Sequence, residues 1–532
     1  MTARVLLAAA CAATLVACDA GFDGSPDGNV APDTELSVRS TDLTEDLGER
    51  RLVSTVELAW SGTDPDGIVA AYDVRAYQRG ETPAPEAGWA RTTRRDSTIL
   101  LPIPLGQDTA NVTVEVRAVD NDGAVDETPA QTVFPIRNSD PAFSLSRTEV
   151  PAETSWPVLS FAFAASDPDG DLNLAAVEVV LNDTLGAVQR LPADATFVTL
   201  VADDPGAAVT DARVFVGRGF TSTDLVLPGL QLDADNRVYF RAVDQAGATS
   251  PWTAYPDPAD DPPAIFVRRV TSSVLLVNDY RATPQGTPSP LEAPTVQLSR
   301  DALALYGTAV YDEWDLSETA QVTASPTFSE GLPLTADPTL RQTLALWDRI
   351  VWVSNRATNS ASGNNLPFAA TVLDLFFERG GRMLVHVPIT LPQGTDGGTA
   401  NAAIDILPLR ELVAYPEGAR AFVAQEDTPV RPVATVPGAG RALPQLRASR
   451  FLYNVVLPYV VGPDDVSLYE MSFDLDTGVP WTGAETLASI RTDRRVALFS
   501  LPVNDSFEPD NPEGEGLETA LAVLLDALDF PQ

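Results

Sequence analysis

The sequence predicts two all-β sandwiches followed by an α/β domain with a mainly parallel sheet. Three observations carry this. A strand-turn-strand pattern occurs twice in the first half of the chain, apolar and polar residues alternate there with a period of two, and after Arg269 the alternation gives way to continuous apolar runs separated by helical spacings.

The first copy of the pattern runs from Val56 through Asp64-Pro65-Asp66-Gly67 to Tyr77, and the second from Leu159 through Asp167-Pro168-Asp169-Gly170-Asp171 to Leu181. Each copy is followed by a second paired motif. Arg117-Ala118-Val119-Asp120-Asn121-Asp122-Gly123 corresponds to Arg241-Ala242-Val243-Asp244-Gln245-Ala246-Gly247. Half-buried antiparallel strands punctuated by Asp, Asn and Gly turns at short intervals predict a sandwich, placed at residues 34–138 and again at 139–270. The paired motifs lie farther apart in the second copy, which places an insertion between Leu185 and Asp224.

Ser273 to Val277, Arg349 to Ser354, Met383 to Val387 and Val496 to Leu501 are apolar without alternation, as strands buried on both faces are. Between and after them, Leu366, Ala369, Ala370, Leu373, Phe376 and Phe377, then Leu517, Leu521, Leu524, Leu525 and Leu528, fall three and four apart. Gly380-Gly381 supplies a helix stop. Strands alternating with helices predict an α/β domain over residues 271–532.

The amino-terminal residues predict export. Arg4 precedes an apolar run from Val5 to Val16 that is too short to span a bilayer, and a polar stretch follows with Asp19, Asp23, Asp27 and three Gly. Leu15-Val16-Ala17-Cys18 resembles the lipobox of bacterial lipoproteins. The resemblance implies cleavage after residue 17, a diacylated Cys18, and a flexible tether over residues 18–33. Two acyl chains hold a protein stably on a membrane, since each buried CH₂ contributes about 0.8 kcal/mol.

Composition narrows the function. Every basic residue is Arg, and the chain carries 35 of them against 74 Asp plus Glu, for a net charge of −39. Such a surface repels nucleic acid and anionic headgroups, so neither is an expected ligand of the folded domains. The hydrophobic fraction of 44% leaves material for several cores. The two cysteines are Cys11 and Cys18, so the predicted mature chain has no thiolate nucleophile and no disulfide.

The turn and strand motifs between Pro32 and Val270 resemble the fibronectin type III and immunoglobulin-like modules of bacterial envelope proteins, an architecture compatible with many functions. The stretches Ala345 to Ser354 and Phe377 to Val385, with Asn278-Asp279 ending the opening strand and Tyr311 to Asp315 fitting a second one, resemble the class I glutamine-amidotransferase-like fold, which is of flavodoxin-like type. That resemblance implies a nucleophilic Cys at a strand-to-helix turn with His and Glu partners. Residues 271–532 contain no Cys.

His386 is the only His, so any catalytic triad or zinc site would be built around it. It falls near the carboxyl end of a predicted central strand, where α/β sheets place ligands. With Asp279, Asn355 and Arg356 it forms the set a hydrolase would use. The spacing of Asp167, Asp169 and Asp171 offers oxygen ligands to Ca²⁺, as do the turns at Asp64 to Gly67 and Asp120 to Asp122, although Pro second and Gly fourth is also what a metal-free turn prefers. Trp60, Trp156, Trp252 and Trp314 read as packing residues. The expected function is that of a lipid-anchored extracytoplasmic protein acting in recognition, adhesion or scaffolding without catalysis, its partner an envelope protein or glycan. The alternative is an extracytoplasmic hydrolase with its site at the strand ends of the last domain.

Overall fold

The computed structural model describes residues 28–40, 43–44, 51–280, 289–316, 332–333, 335–355, 365–389 and 405–532. Cys18 and Arg356 lie outside the described residues. The chain divides into two compact units, one made of Met1–Ala142 with Ser166–Ala175 and Ala242–Ser250, the other of the remainder.

In the first unit, strands β1 (Asp33–Ser40), β2 (Thr55–Thr63), β3 (Val69–Gln78), β4 (Ala90–Thr92), β5 (Asp96–Leu100), β6 (Thr109–Asp120) and β7 (Ala130–Arg137) form two sheets. One has the order β1-β2-β5, and the other contains β7-β6-β3-β4, extended beyond β7 by two-residue strands. Side chains alternate across each strand, so Val56, Leu58 and Trp60 of β2 meet Val112, Val114 and Val116 of β6 in one core. On the outer face of β3 and β6, the Trp89 ring lies 4.0 Å from the Arg75 guanidinium and 4.3 Å from that of Arg117. Its indole N–H donates to the Pro85 carbonyl, which pins the β3–β4 connection to the sheet.

The second sandwich repeats this plan with β8 (Ala142–Leu145), β9 (Val158–Ser166), β10 (Leu174–Leu181), β11 (Gln189–Leu191), β12 (Phe197–Ala202), β13 (Val209–Val216), β14 (Thr221–Gln231), β15 (Val238–Asp244) and β16 (Thr253–Tyr255). Its sheets run β8-β9-β12-β13-β14 and β11-β10-β15-β16. The antiparallel pair β13–β14 has no counterpart in the first sandwich. It is the extra length that separates the paired motifs, and it widens one sheet by two strands.

β9 departs from the alternation of β2, for Val158 to Phe163 are all buried. The cause is tertiary. Ser160 on its outer face accepts a hydrogen bond of 2.6 Å from Thr339 and lies 2.9 Å from the Thr199 hydroxyl, so carboxyl-terminal residues cover the sandwich within the second unit. Trp156 belongs to the carboxyl-terminal core, edge-on to Trp347 at 4.7 Å and Trp314 at 6.1 Å.

Beyond residue 270 the chain forms β17 (Val274–Asp279), α1 (Glu292–Tyr306), β18 (Asp312–Asp315), α2 (Arg341–Leu344), β19 (Arg349–Ser354), α3 (Leu366–Ala370), α4 (Asp374–Glu378), β20 (Arg382–His386), β21 (Asp465–Met471), β22 (Thr486–Arg491), β23 (Val496–Phe499) and α5 (Leu517–Ala527), with further short strands. β18-β17-β19-β20-β23 are parallel neighbours. β22 and then β21 continue the sheet antiparallel. The apolar spacing from Leu366 to Phe377 reads as one run but folds as two short helices, α3 and α4, separated by Thr371 to Leu373. Gly380 takes a left-handed φ of +85°, and a Cβ on Gly381 would meet Phe376 at 2.5 Å, which explains the pair.

Candidate functional site

The strand order places β17 between β18 and β19, so the chain leaves β17 in one direction and later returns to its other side. Parallel sheets bind ligands at such a reversal, beyond the carboxyl ends of the strands. Asp279 ends β17 there and stands in register with Ser354 of β19. Its carboxylate is fully buried and accepts from the Asn365 backbone N–H at 2.9 Å, the Asn365 amide at 2.9 Å, the Leu366 N–H at 3.0 Å and the Trp352 indole N–H at 3.1 Å. These donors include the backbone amides at the amino end of α3, where a negative charge is favoured. Asp279 therefore ties β17, β19 and α3 together.

His386, last residue of β20, is also fully buried. Its Nε2 lies 3.0 Å from the Leu501 carbonyl, which fixes Nε2 as a donor. Burial lowers its pKa to about 4, against a weaker opposing effect of that carbonyl. The ring packs edge-on to Phe499 at 5.3 Å, and Nδ1 has no hydrogen-bond partner among the described residues. In register His386 pairs with Phe499 and Val353, whereas Asp279 pairs with Ser354. No described hydrogen bond joins His386 to Asp279. Asn355 follows β19 at the same edge, half-buried.

The acidic turns form a second candidate. In the first unit Asp167, Asp169 and Asp244 are all buried, while Asp171 is exposed at the start of a 3₁₀ turn and lies apart from them in character. Asp167 Oδ1 accepts the Asp169 N–H at 2.7 Å and its Oδ2 the Asn173 amide at 3.2 Å. The Gly170 N–H closes the turn onto the Asp167 carbonyl at 2.9 Å. Asp244 accepts the Ala248 N–H and the Asn138 amide. The donors around this cluster are neutral. Burial accordingly raises the Asp167 carboxyl to about 6 and moves Asp169 in the same direction. Among the described residues no group of three or more His, Cys, Asp or Glu side chains is arranged to hold a metal ion.

A raised folded-state pKa stabilises below the unfolded value and loses that contribution as pH climbs. Asp167→Asn is therefore expected to stabilise the protein by about 1–2 kcal/mol at pH 7.5, where the buried charge is removed. The gain should vanish as pH falls through 6 toward 4. Calorimetric melts of both proteins at the two ends of that range test this, and an equal gain at pH 4.5 would contradict it.

A third feature has no counterpart in the sequence reading. Within the second unit a slot of about 40 Å³ opens between the second sandwich and the carboxyl-terminal residues, with Trp156, Trp314, Arg268, Ser160 and Thr339 in its walls. That volume holds a few waters. Arg268 lies 5.3 Å over Trp156 and donates to the Glu313 carbonyl at 2.8 Å. The sequence signal for it is thin, since Trp156 and Ser160 on one wall are separated by more than a hundred positions from Trp314 and Thr339 on the other.

No protein-family model matches the chain, and no curated protein does. Similar solved structures are fibronectin(III)-like modules of Clostridium thermocellum CbhA, 13% identical over 41% of this chain and 91% of that one, with a TM-score of 0.15. The chicken CNTN1 FN1-FN3 domains are 10% identical over 42% and 97%, with a TM-score of 0.15. Chitinase ChiA74 from Bacillus thuringiensis is 14% identical over 41% and 28%, with a TM-score of 0.13.

Proposed function

We propose that the protein is a lipid-anchored extracytoplasmic scaffold whose carboxyl-terminal domain, of amidotransferase-like type, recognises an envelope protein or glycan and does not catalyse. The observation that carries this is the use made of Asp279 and His386. Both chemistry-bearing side chains at the strand ends are buried, one committed to the backbone of α3 and the other to the Leu501 carbonyl. A general base must reach the proton it takes, and a nucleophile must reach its substrate. The absence of Cys from residues 271–532 supports the same reading.

The lipid-free chain is to be assayed with glutamine, ester and peptide substrates. Turnover above buffer that is lost in His386→Ala, with an unchanged melting temperature, would establish the hydrolase instead. Anchoring has its own test. Cys18→Ala is expected to move the protein from the detergent-rich to the aqueous phase, because no helix among the described residues is long and apolar enough to cross a membrane. A mutant that stays with the detergent would rule out Cys18 as the anchor.

Calcium at Asp167 and Asp169 belongs to this proposal as a structural ligand at most. It would hold both carboxylates charged and relieve the cost of burying them. A melting temperature raised by Ca²⁺ and lowered by chelator, in wild type but not in Asp167→Asn, is the expected signature.

A further inference from the structure

The two sandwiches carry the same turn in different company. In the second copy, Asp169 Oδ2 accepts the N–H of Ser139 at 2.7 Å, and Asp244 accepts the amide of Asn138, the residue before Ser139. The first copy repeats both bonds: Asp66 Oδ2 accepts the N–H of Val30 at 3.1 Å, and Asp120 Oδ2 accepts the amide of Asn29 at 2.7 Å. In each, an Asn and the residue after it clip the entering chain to the pole of the sandwich.

The second copy has further partners. Asp169 Oδ1 accepts the Ser54 N–H at 3.1 Å, and the Asp169 carbonyl accepts the Thr55 hydroxyl, both donors standing at the start of β2. The Gly106 N–H donates to the Ala246 carbonyl at 2.8 Å, and Leu105 stands against Gly247. All of these lie in the first unit. They bury Asp169 completely. Among the described residues the corresponding surface of the first copy is open, with Asp66, Asp122 and Gly123 exposed and the neighbouring Ile68 69% exposed.

We propose that this open pole is a socket for the end of another β-sandwich module, one that presents a strand-start N–H and hydroxyl to Asp66 and a loop N–H to the Asp122 carbonyl. The sister turn already makes these bonds through Asp169 and the Ala246 carbonyl, at the positions equivalent to Asp66 and Asp122. A second full copy of this chain is not the occupant, because its Ser54, Thr55 and Gly106 are spent on its own Asp169 and Ala246. Nor do residues 19–27 suit the place, since their ionisable side chains are Asp19, Asp23 and Asp27 and the pole is itself acidic. The partner is a sandwich module of another protein. The inference deepens the scaffolding reading and rests on it.

The probe is the polypeptide 29–138, which carries Ser54, Thr55 and Gly106 with nothing covering them. Its core is drawn wholly from its own residues, and a cooperative melt is to be recorded before use. Added to the lipid-free full chain at moderate salt, it is expected to bind with a Kd below about 1 mM, and Asp66→Ala in the full chain should weaken this at least tenfold. The probe alone should also associate head to tail, since it carries both plug and socket. A folded probe that does not bind, or binds Asp66→Ala equally well, overturns the proposal. Should the probe not fold, residues 29–138 are duplicated ahead of Asn29 in the full chain, and hydrogen exchange is followed at the added Ser54 amide. Protection that disappears with Asp66→Ala in the original copy supports the socket, and an unprotected amide refutes it. The lipid-free chain and a binding readout keep these outcomes separate from the tests of anchoring and of hydrolysis.

Discussion

Asp279→Ala is expected to destabilise the second unit by about 3–5 kcal/mol, because it strands several buried donors at once. The Asn365 and Leu366 amides lose the acceptor that replaces their missing intrahelical partners, and the Trp352 indole N–H is left facing apolar neighbours. Asp279→Asn retains one oxygen and should cost less than half as much. Denaturant unfolding monitored by Trp fluorescence will read the difference, since Trp352 reports on the site directly. A catalytic Asp279 would behave otherwise. Its Asn variant would keep the midpoint of the wild type while losing turnover, and that pattern would reverse the assignment made above.

His386→Ala is expected to cost about 2–3 kcal/mol at pH 7.5, through the cavity left beside Phe499 and the unpaired Leu501 carbonyl. The wild type should also carry a pH signature of its own. The folded-state pKa is depressed to about 4 from 6.5, so the unfolded chain takes up a proton first as the solution is acidified. Stability present above pH 6.5 is therefore lost as pH falls toward 4, by about 3 kcal/mol in full. His386→Gln cannot take up that proton, and the gap between the two proteins should narrow over that range. Chemical denaturation at half-unit steps from pH 7.5 to 4 separates this from the general acid response of the many carboxylates, which both proteins share. A constant gap across the range would mean that the imidazole is solvated, and with it accessible to a substrate.

Much of the fold was legible because side-chain period reports burial wherever one face of a strand meets water. The starts of β2 and β6 show this, with Val56 and Leu58 buried on either side of exposed Glu57, and Ala110 and Val112 buried on either side of exposed Asn111. The continuous runs at β17, β19, β20 and β23 likewise announced strands covered on both faces. β9 was the exception. Its apolar run looked like another member of a sandwich, and nothing local to Val158–Ser166 tells that residues near Thr339 will cover its outer face. The break between α3 and α4 was equally hidden, since apolar spacing continues through it.

The candidate site was legible only as a set of residue types. Position in sequence put His386 and Asp279 at the ends of parallel strands, and the repeated turns put acidic residues at the poles of both sandwiches. Which groups those side chains would meet was beyond it. Asp169 looks alike in the sequence to Asp66, yet Asp169 is buried under Ser54 and Ser139 while Asp66 stays exposed. The sequence by itself determined the strongly acidic composition, the lack of Cys beyond Cys18 and the change from alternating to continuous apolar strands, because each depends on composition or short-range period. Only the tertiary structure decided that Asp279 serves α3, that His386 is a neutral buried ring and that one acidic turn is covered while its twin is open, because each depends on desolvation and hydrogen bonding by groups that distant segments supply.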